Sequence, residues 1–505
     1  MKQPLISILG LVATTTALAQ SDNQPNVILL VADDLGYGDL SCYGATRVST
    51  PSVDKLAANG VRFTNAHACA ATSTPSRYSL LTGEYCIRNA NSDVAAGNAA
   101  MIIQPDQYTI ADLFKDNGYT TAAIGKWHLG IGSTTGQQNW NGKLDQSLAD
   151  IGFDYSYIMA ATADRVPCVW IENDSVANYD PSAPIEVSYI QNFDTKPTLL
   201  NYKGELLVAS SHGHDQSVIN GIGRIGYMRG GGNAIWKDEH LADTIAQKAI
   251  DFITKNRENP FFLYLCTNDI HVPRWPNERF RGKNKMGLRG DVIKQFDWTV
   301  GVVIDALQKL GLEDNTIVIL TSDNGPVLDD GYQDYAEELL GNHSPSGNRR
   351  GTKYSAYDGG SIVPFIVSWG KHTPQGKTSN ALVSQIDCFA SLAQLIEAPL
   401  PKNAAPDSRN FIKTWLGLSD KSAPYAIAMA QNRTLNICTD KWKYIEPSDG
   451  PERLSWNTKI ETGYKEVPQL FRQGKDLKEE HNLAKRYKNV VRKLQKILDA
   501  VKANN

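Results

Sequence analysis

The run Val27-Ile28-Leu29-Leu30-Val31-Ala32-Asp33-Asp34 decides the fold. Its apolar residues end on two adjacent carboxylates. An unbroken apolar run of this length suits a parallel strand buried on both faces, and ligands bind beyond the carboxyl ends of such strands. The design recurs: Thr121 to Ile124 leads to Lys126 and His128, Phe261 to Cys266 leads to Asp269 and His271, and Thr316 to Leu320 leads to Asp323 and Asn324. Four strands are thus expected to bring polar ends to one edge. Helical patterns lie between them. Thr50-Pro51 gives a cap and first-turn proline, Leu241 to Asn256 places Leu241, Ile245, Ala249 and Ile253 on one stripe, and Asp291 to Leu310 repeats the period. This alternation, from Val27 to about Ala398, predicts a doubly wound α/β domain.

Outward from that body the texture changes. Pro399 to Pro406 is rich in Pro, Ala and Asn, and short strand candidates follow at Tyr425 to Met429 and Thr434 to Ile437. An amphipathic helix is expected over Leu483 to Lys502. The reading is a catalytic body over 20–400 and a small α+β subdomain over 401–505. At the other end, Lys2, the apolar stretch Leu5 to Leu18 and the small-x-small site Ala17-Leu18-Ala19 read as a signal peptide over 1–19. The mature chain is therefore expected to be exported, to the periplasm or beyond. No other stretch approaches ~18 consecutive apolar residues, so no membrane span is expected.

Composition narrows the class. The chain of 505 residues carries 51 Lys+Arg against 54 Asp+Glu, a formal charge of -3 with no long run of like charges. That balance argues against nucleic acid or an anionic membrane surface as a partner. The seven cysteines are odd in number and show neither CxxC nor zinc spacing, so a disulfide scaffold is not expected, and Cys266 inside its apolar run reads as a buried thiol. Gly221-Ile222-Gly223-Arg224-Ile225-Gly226 satisfies GxGxxG but follows a polar stretch in place of an apolar strand, which excludes a dinucleotide site.

The chemistry concentrates in Ser73-Thr74-Pro75-Ser76-Arg77-Tyr78-Ser79-Leu80-Leu81-Thr82-Gly83. Pro75 suits a first helical turn and Gly83 a far cap, which puts Ser73 at a helix amino end whose dipole favours an anion. Alone, Ser73 would read as a helix-capping serine. Asp33 and Asp34, with Asp323 and Asn324, form an all-oxygen set at strand ends that suits a hard divalent cation.

The Ser73 segment resembles the modification motif of formylglycine-dependent sulfatases, C/S-x-P-S-R followed by L-T-G. Gly125-Lys126-Trp127-His128-Leu129-Gly130 and Asp269-Ile270-His271-Val272-Pro273 resemble two further motifs of that family. The resemblance implies an alkaline phosphatase-like fold with a mostly parallel sheet and a smaller antiparallel C-terminal sheet. It implies that Ser73 is oxidised to formylglycine by a serine-type sulfatase-maturating enzyme. It implies calcium, with magnesium the lesser fit, held by Asp33, Asp34, Ser73, Asp323 and Asn324. Arg77 and Lys126 would hold the formylglycine hydrate, His128 would hydrogen-bond it, His271 would protonate the leaving oxygen, and Lys353 would complete a cationic cradle. Asp164, Arg165, His212, His214 and Asp215 supply carboxylate, guanidinium and imidazole groups for sugar hydroxyls. The implied activity is removal of sulfate from a sulfated glycan, exo-acting on a galacto-configured sugar with 6-O or 4-O sulfate. Two alternatives stay open at this point: a phosphate or phosphonate monoester hydrolase of the same superfamily, and a non-catalytic exported glycan-binding protein.

Overall fold

The strand Asn26–Ala32 is buried along its whole length because sheet neighbours and helices cover both of its faces. The structure is a computed structural model describing residues 24–194 and 196–503; the expected signal peptide over 1–19 lies outside the described residues. Phe261–Cys266 pairs in parallel with Asn26–Ala32 on one side, with Val31 opposite Cys266, and Thr316–Ser322 pairs in parallel on the other, with Ala32 opposite Ser322. Phe261–Cys266 also pairs in parallel with Thr120–Lys126, and that strand with Tyr155–Met159. The polar-tipped strands are therefore consecutive neighbours, in the order Thr316–Ser322, Asn26–Ala32, Phe261–Cys266, Thr120–Lys126. In-register parallel pairing ends them at one level, and Asp33, Lys126 and Asp323 emerge side by side.

The full sheet has ten strands, and antiparallel pairs enter it toward both margins, although the edge strand Lys377–Ser379 pairs in parallel with Gly60–Phe63. Phe365–Ser368 runs against both Thr316–Ser322 and Gly60–Phe63, and Trp170–Glu172 runs against Tyr155–Met159. Helices Leu241–Lys255 and Gly287–Lys309 pack against each other, and Pro51–Ala58 packs on the second. The long helix starts four residues before the expected Asp291. Arg289, buried against Asp39 at 2.7 Å, interrupts the apolar period and hides that first turn in the sequence.

A second sheet of four antiparallel strands follows: Ala426–Met429, Leu435–Cys438, Trp442–Ile445 and Gln469–Arg472. The closing helix packs on Leu435–Cys438 and begins at Lys488, not at the expected Leu483. The reason is local. Leu483 N–H donates to Leu470 O, and the Asn482 side chain accepts from Leu470 N and Ala484 N, so Leu483 is held beside the strand and a turn separates it from the helix. Ala71 N–H donates to Met429 O, which ties the second sheet to the residues entering the Ser73 helix.

All seven cysteines are free, and Cys266 is fully buried. The glycine run at 221–226 opens with the turn of a hairpin that pairs Val218–Ile219 with Ile222–Gly223. Asn220 and Gly221, at φ of 57° and 72°, supply the left-handed turn that such a hairpin requires. Among the described residues no helix is long and apolar enough to cross a membrane.

Candidate active site

Ser73 opens the helix Ser73–Thr82, and Gly83 closes it at φ 64°. A Cβ at Gly83 would stand 2.5 Å from Ala405 Cβ, so the helix end is fitted against the segment joining the two sheets. The Ser73 hydroxyl lies 2.8 Å from Lys126 Nζ, 3.3 Å from Asn324 Oδ1 and 3.5 Å from Asp33 Oδ1. The strand ends of the sheet bring all three partners, and the helix brings Ser73 to them.

The carboxylates and cations interlock. Lys126 Nζ is 2.6 Å from Asp33 Oδ1, and Arg77 Nε donates to Asp323 Oδ2 at 2.9 Å. Asp323 Oδ1 accepts the Asp34 N–H at 3.2 Å, Asn324 Nδ2 donates to Asp34 Oδ1 at 2.7 Å, and Lys353 Nζ stands 2.9 Å from Asp34 Oδ2. Every one of these side chains is buried. Burial raises Asp33 to about 6, because desolvation outweighs Lys126. Burial also works against ionised Asp323, but Arg77 and Lys126 together hold it well below the usual carboxylate range. Desolvation opposes the charge on Lys353, yet Asp330 and Asp34 raise it well above its ordinary value.

The two histidines present free nitrogens. His128 Nε2 donates to Ala95 O at 3.0 Å, and its buried Nδ1 has no partner among the described residues. Burial, then Lys126 and Arg165, hold this ring well below its ordinary value, so it is neutral. His271 Nδ1 donates to Val272 O at 2.7 Å, which leaves Nε2 to the site, 3.7 Å from Asp34 Oδ2.

The residues fit a divalent cation. Asp33 Oδ2 is buried without a hydrogen-bond partner among the described residues, and ligand atoms of Asp33, Asp34 and His271 lie within 4.8 Å of one another. A buried carboxylate oxygen with nothing to accept from is costly unless a cation completes it. Asp34, Asp323 and Asn324 add hard oxygens around it.

Above this base opens a cavity of about 500 Å³ bordered by Ser73, His128, His271 and Lys353. Asp164, Arg165, His212 and His214 stand on its walls. His214 Nε2 is 2.9 Å from Asp164 Oδ2, and its Nδ1 is 3.0 Å from His212 O. Burial opposes ionised Asp164, but Arg165, then His214, keep it well below the usual range. Asp215 is the exception among the expected residues. It is exposed and does not border the cavity, since the chain turns successive side chains to opposite sides and His214 takes the inner one. Arg77, Lys126, Asp33, Asp34, Asp323 and Asn324 form the floor beneath the cavity.

Asp330, Tyr354 and Trp456 also line the cavity and are not among the expected residues. Asp330 Oδ2 is 2.9 Å from Lys353 Nζ and its Oδ1 accepts from Tyr354 OH at 2.7 Å; burial opposes its charge, but Lys353, His271 and these hydrogen bonds together lower Asp330 to about 2. The paired carboxylates of Asp329-Asp330, shortly after Asn324, were the available signal. Tyr354 follows Lys353 directly, and Trp456 arrives from the second sheet with no local signal at all.

A buried serine hydroxyl ringed by carboxylates, lysines and an arginine suits hydrolysis of an anionic ester. The sulfatase family model matches residues 25–398, and the chain belongs to the sulfatase family. It is a sulfatase, a hydrolase of sulfuric esters, and this decides against the phosphate and non-catalytic alternatives. The chain is 49% identical to an N-acetylgalactosamine-6-O-sulfatase of Bacteroides thetaiotaomicron, across 99% of this chain and 98% of that one. It is 30% identical to the steryl-sulfatase of Rattus norvegicus, across 78% of this chain and 70% of that one. A solved structure from work on the metabolism of multiple glycosaminoglycans by Bacteroides thetaiotaomicron superposes with a TM-score of 0.93 at 50% identity, covering 95% of this chain and all of that one.

Proposed function

We propose that the protein removes the 6-O-sulfate of N-acetylgalactosamine at the end of a sulfated glycan. Ser73 is the residue converted to formylglycine, and calcium is held by Asp33, Asp34, Asp323, Asn324 and the modified side chain at position 73. The observation that carries this reading is the Ser73 hydroxyl 2.8 Å from Lys126 Nζ at the base of a cavity walled by Asp164, Arg165 and His214. The sugar assignment draws on the N-acetylgalactosamine-6-O-sulfatase relative.

One hydroxyl of the hydrated aldehyde attacks sulfur and displaces the alcohol; the second then loses its proton and re-forms the carbonyl, expelling sulfate with the first oxygen, while calcium, when bound, would supply Lewis acidity toward the sulfate oxygens. This chain's own side chains do the rest. Lys126 fixes the group at position 73 and offsets its charge, with Arg77 holding Asp323 in place behind it. The neutral His128 offers Nδ1 to a hydroxyl proton at position 73. His271 Nε2 holds the proton that goes to the leaving alcohol oxygen, its orientation set by the Nδ1 bond to Val272 O. Lys353 faces the transferring group with its charge secured by Asp330. Asp164, Arg165, His212 and His214 bind ring hydroxyls.

Activity then requires a serine-type maturase as partner, and the sequence of residues 1–19 supports export to the periplasm. The test is sulfate release by protein co-produced with such a maturase. N-acetylgalactosamine 6-sulfate should be hydrolysed faster than its 4-sulfate isomer, and an aryl sulfate faster than the matched aryl phosphate. Faster phosphate turnover, or preference for the 4-sulfate, overturns the proposal.

A further inference from the structure

The cavity is graded from a buried polar base to an apolar rim. Ser73 is 2% exposed, Asp164 3% and His214 5%, whereas Trp456 is 37% and Val94 41% exposed on the same cavity. Trp456 lies in the long connection between Trp442–Ile445 and Gln469–Arg472, so the second sheet, not the catalytic sheet, presents it. That connection is moored to the catalytic body just past the indole. Asn457 Nδ2 donates to Asp329 O at 3.0 Å, Glu461 Oε2 is 2.7 Å from Arg350 Nε, and Lys459 pairs with Glu337.

The indole is also oriented from within the cavity. Its ring centroid is 5.0 Å from that of Tyr354, edge to face at 85°, and 5.2 Å from His212 at 32°. Tyr354 is fixed in turn by Asp330, the carboxylate that holds Lys353. These contacts hold the indole in place yet leave it more than a third exposed at the rim of a charged cavity. It suits a pyranose, whose C–H-rich face packs on a flat ring while its hydroxyls point outward. The sulfate must reach Ser73 at the base, and Asp164 and His214 occupy the deep walls, so the sulfated ring sits below the rim. What meets Trp456 is the next ring along.

We infer that Trp456 and His212 form a stacking subsite for the second sugar of a glycan chain, the one linked through the anomeric carbon of the sulfated residue. The inference rests on the glycan reading above. It makes the enzyme a reader of chain ends and gives the second sheet a role in recognition.

Calorimetric titration of the unconverted Ser73 protein, which binds without turnover, tests it with two probes: N-acetylgalactosamine 6-sulfate, and the disaccharide in which that sugar is joined through its anomeric carbon to a second hexopyranose. The disaccharide should bind roughly tenfold more tightly, the scale of one good aromatic contact. Trp456→Ala should erase that advantage and Trp456→Phe retain most of it. His212→Ala, a change on a partly exposed loop, should reduce the advantage and serves if Trp456→Ala does not fold. Equal binding of the two probes by the unsubstituted protein, or an unchanged ratio in the variants, overturns the subsite while leaving the substrate reading intact. If neither probe binds, the glycan reading fails and the subsite with it.

Discussion

The Lys126 ammonium lies 2.8 Å from the Ser73 hydroxyl, closer than any carboxylate of the site approaches it. A buried cation at this distance is aimed at the reacting group before any substrate arrives. Lys126→Met should therefore lower kcat/KM for an aryl sulfate by roughly 100-fold or more, the usual scale for removing one fixed electrostatic group. Steady-state kinetics on fully converted protein checks this, and a loss of less than threefold would contradict it.

Arg77 and Asp323 are 0% and 1% exposed and stand 2.8 Å apart. Removing Arg77 leaves buried Asp323 with only Lys126, 3.5 Å away, so Arg77→Met should destabilise the metal-free protein by about 3 kcal/mol. Urea unfolding followed by tryptophan fluorescence gives the number. A change within about 0.5 kcal/mol, ordinary for surface substitutions, would show that the pair is not essential to the floor of the cavity.

The cation should be recoverable as a stabilising ligand. Chelation should abolish activity, calcium should restore it, and calcium at one hundred times its dissociation constant should add about 2.7 kcal/mol to unfolding stability. Asp34→Asn should demand more calcium for both effects. Full activity after exhaustive chelation would remove Asp33, Asp34, Asp323 and Asn324 from the proposed metal site.

A separate buried cluster sets an acid limit on the fold. Burial lowers His67 to about 4, against an ordinary value near 6.5, and its Nε2 lies 3.1 Å from Asn65 Oδ1. The unfolded chain takes up a proton at this ring as pH falls through 6.5, while the folded protein resists until about 4. Stability is therefore lost as pH falls across that window, by up to ~3 kcal/mol from this group. The difference between wild type and His67→Asn in urea unfolding at pH 7 and pH 4.5 isolates it, and the variant should show the shallower dependence.

Much of this arrangement was legible because parallel strands write their ends into the chain. Asp33, Lys126 and Asp323 each follow an apolar run, and in-register pairing places them together. The contacts of Asp33, Lys126 and Asn324 with Ser73 also needed the helix to be docked, which only the motif announced. The cavity walls were harder to read. Asp215 was expected beside His214, but neighbouring residues face opposite ways, and no sequence pattern there fixes the inward side. Trp456 reaches the cavity through packing between the two sheets, a long-range relation that leaves no local trace. The start of the closing helix was misplaced because Leu483 continues the apolar stripe while its backbone bonds to Leu470.

The central claim is that position 73 is no longer serine in the working enzyme. Mass spectrometry of the peptide spanning Ser73, from protein purified out of its native host, tests this directly. The peptide should be lighter by two hydrogens, with activity rising in proportion to that form. An active enzyme whose Ser73 peptide carries only unmodified serine would contradict it.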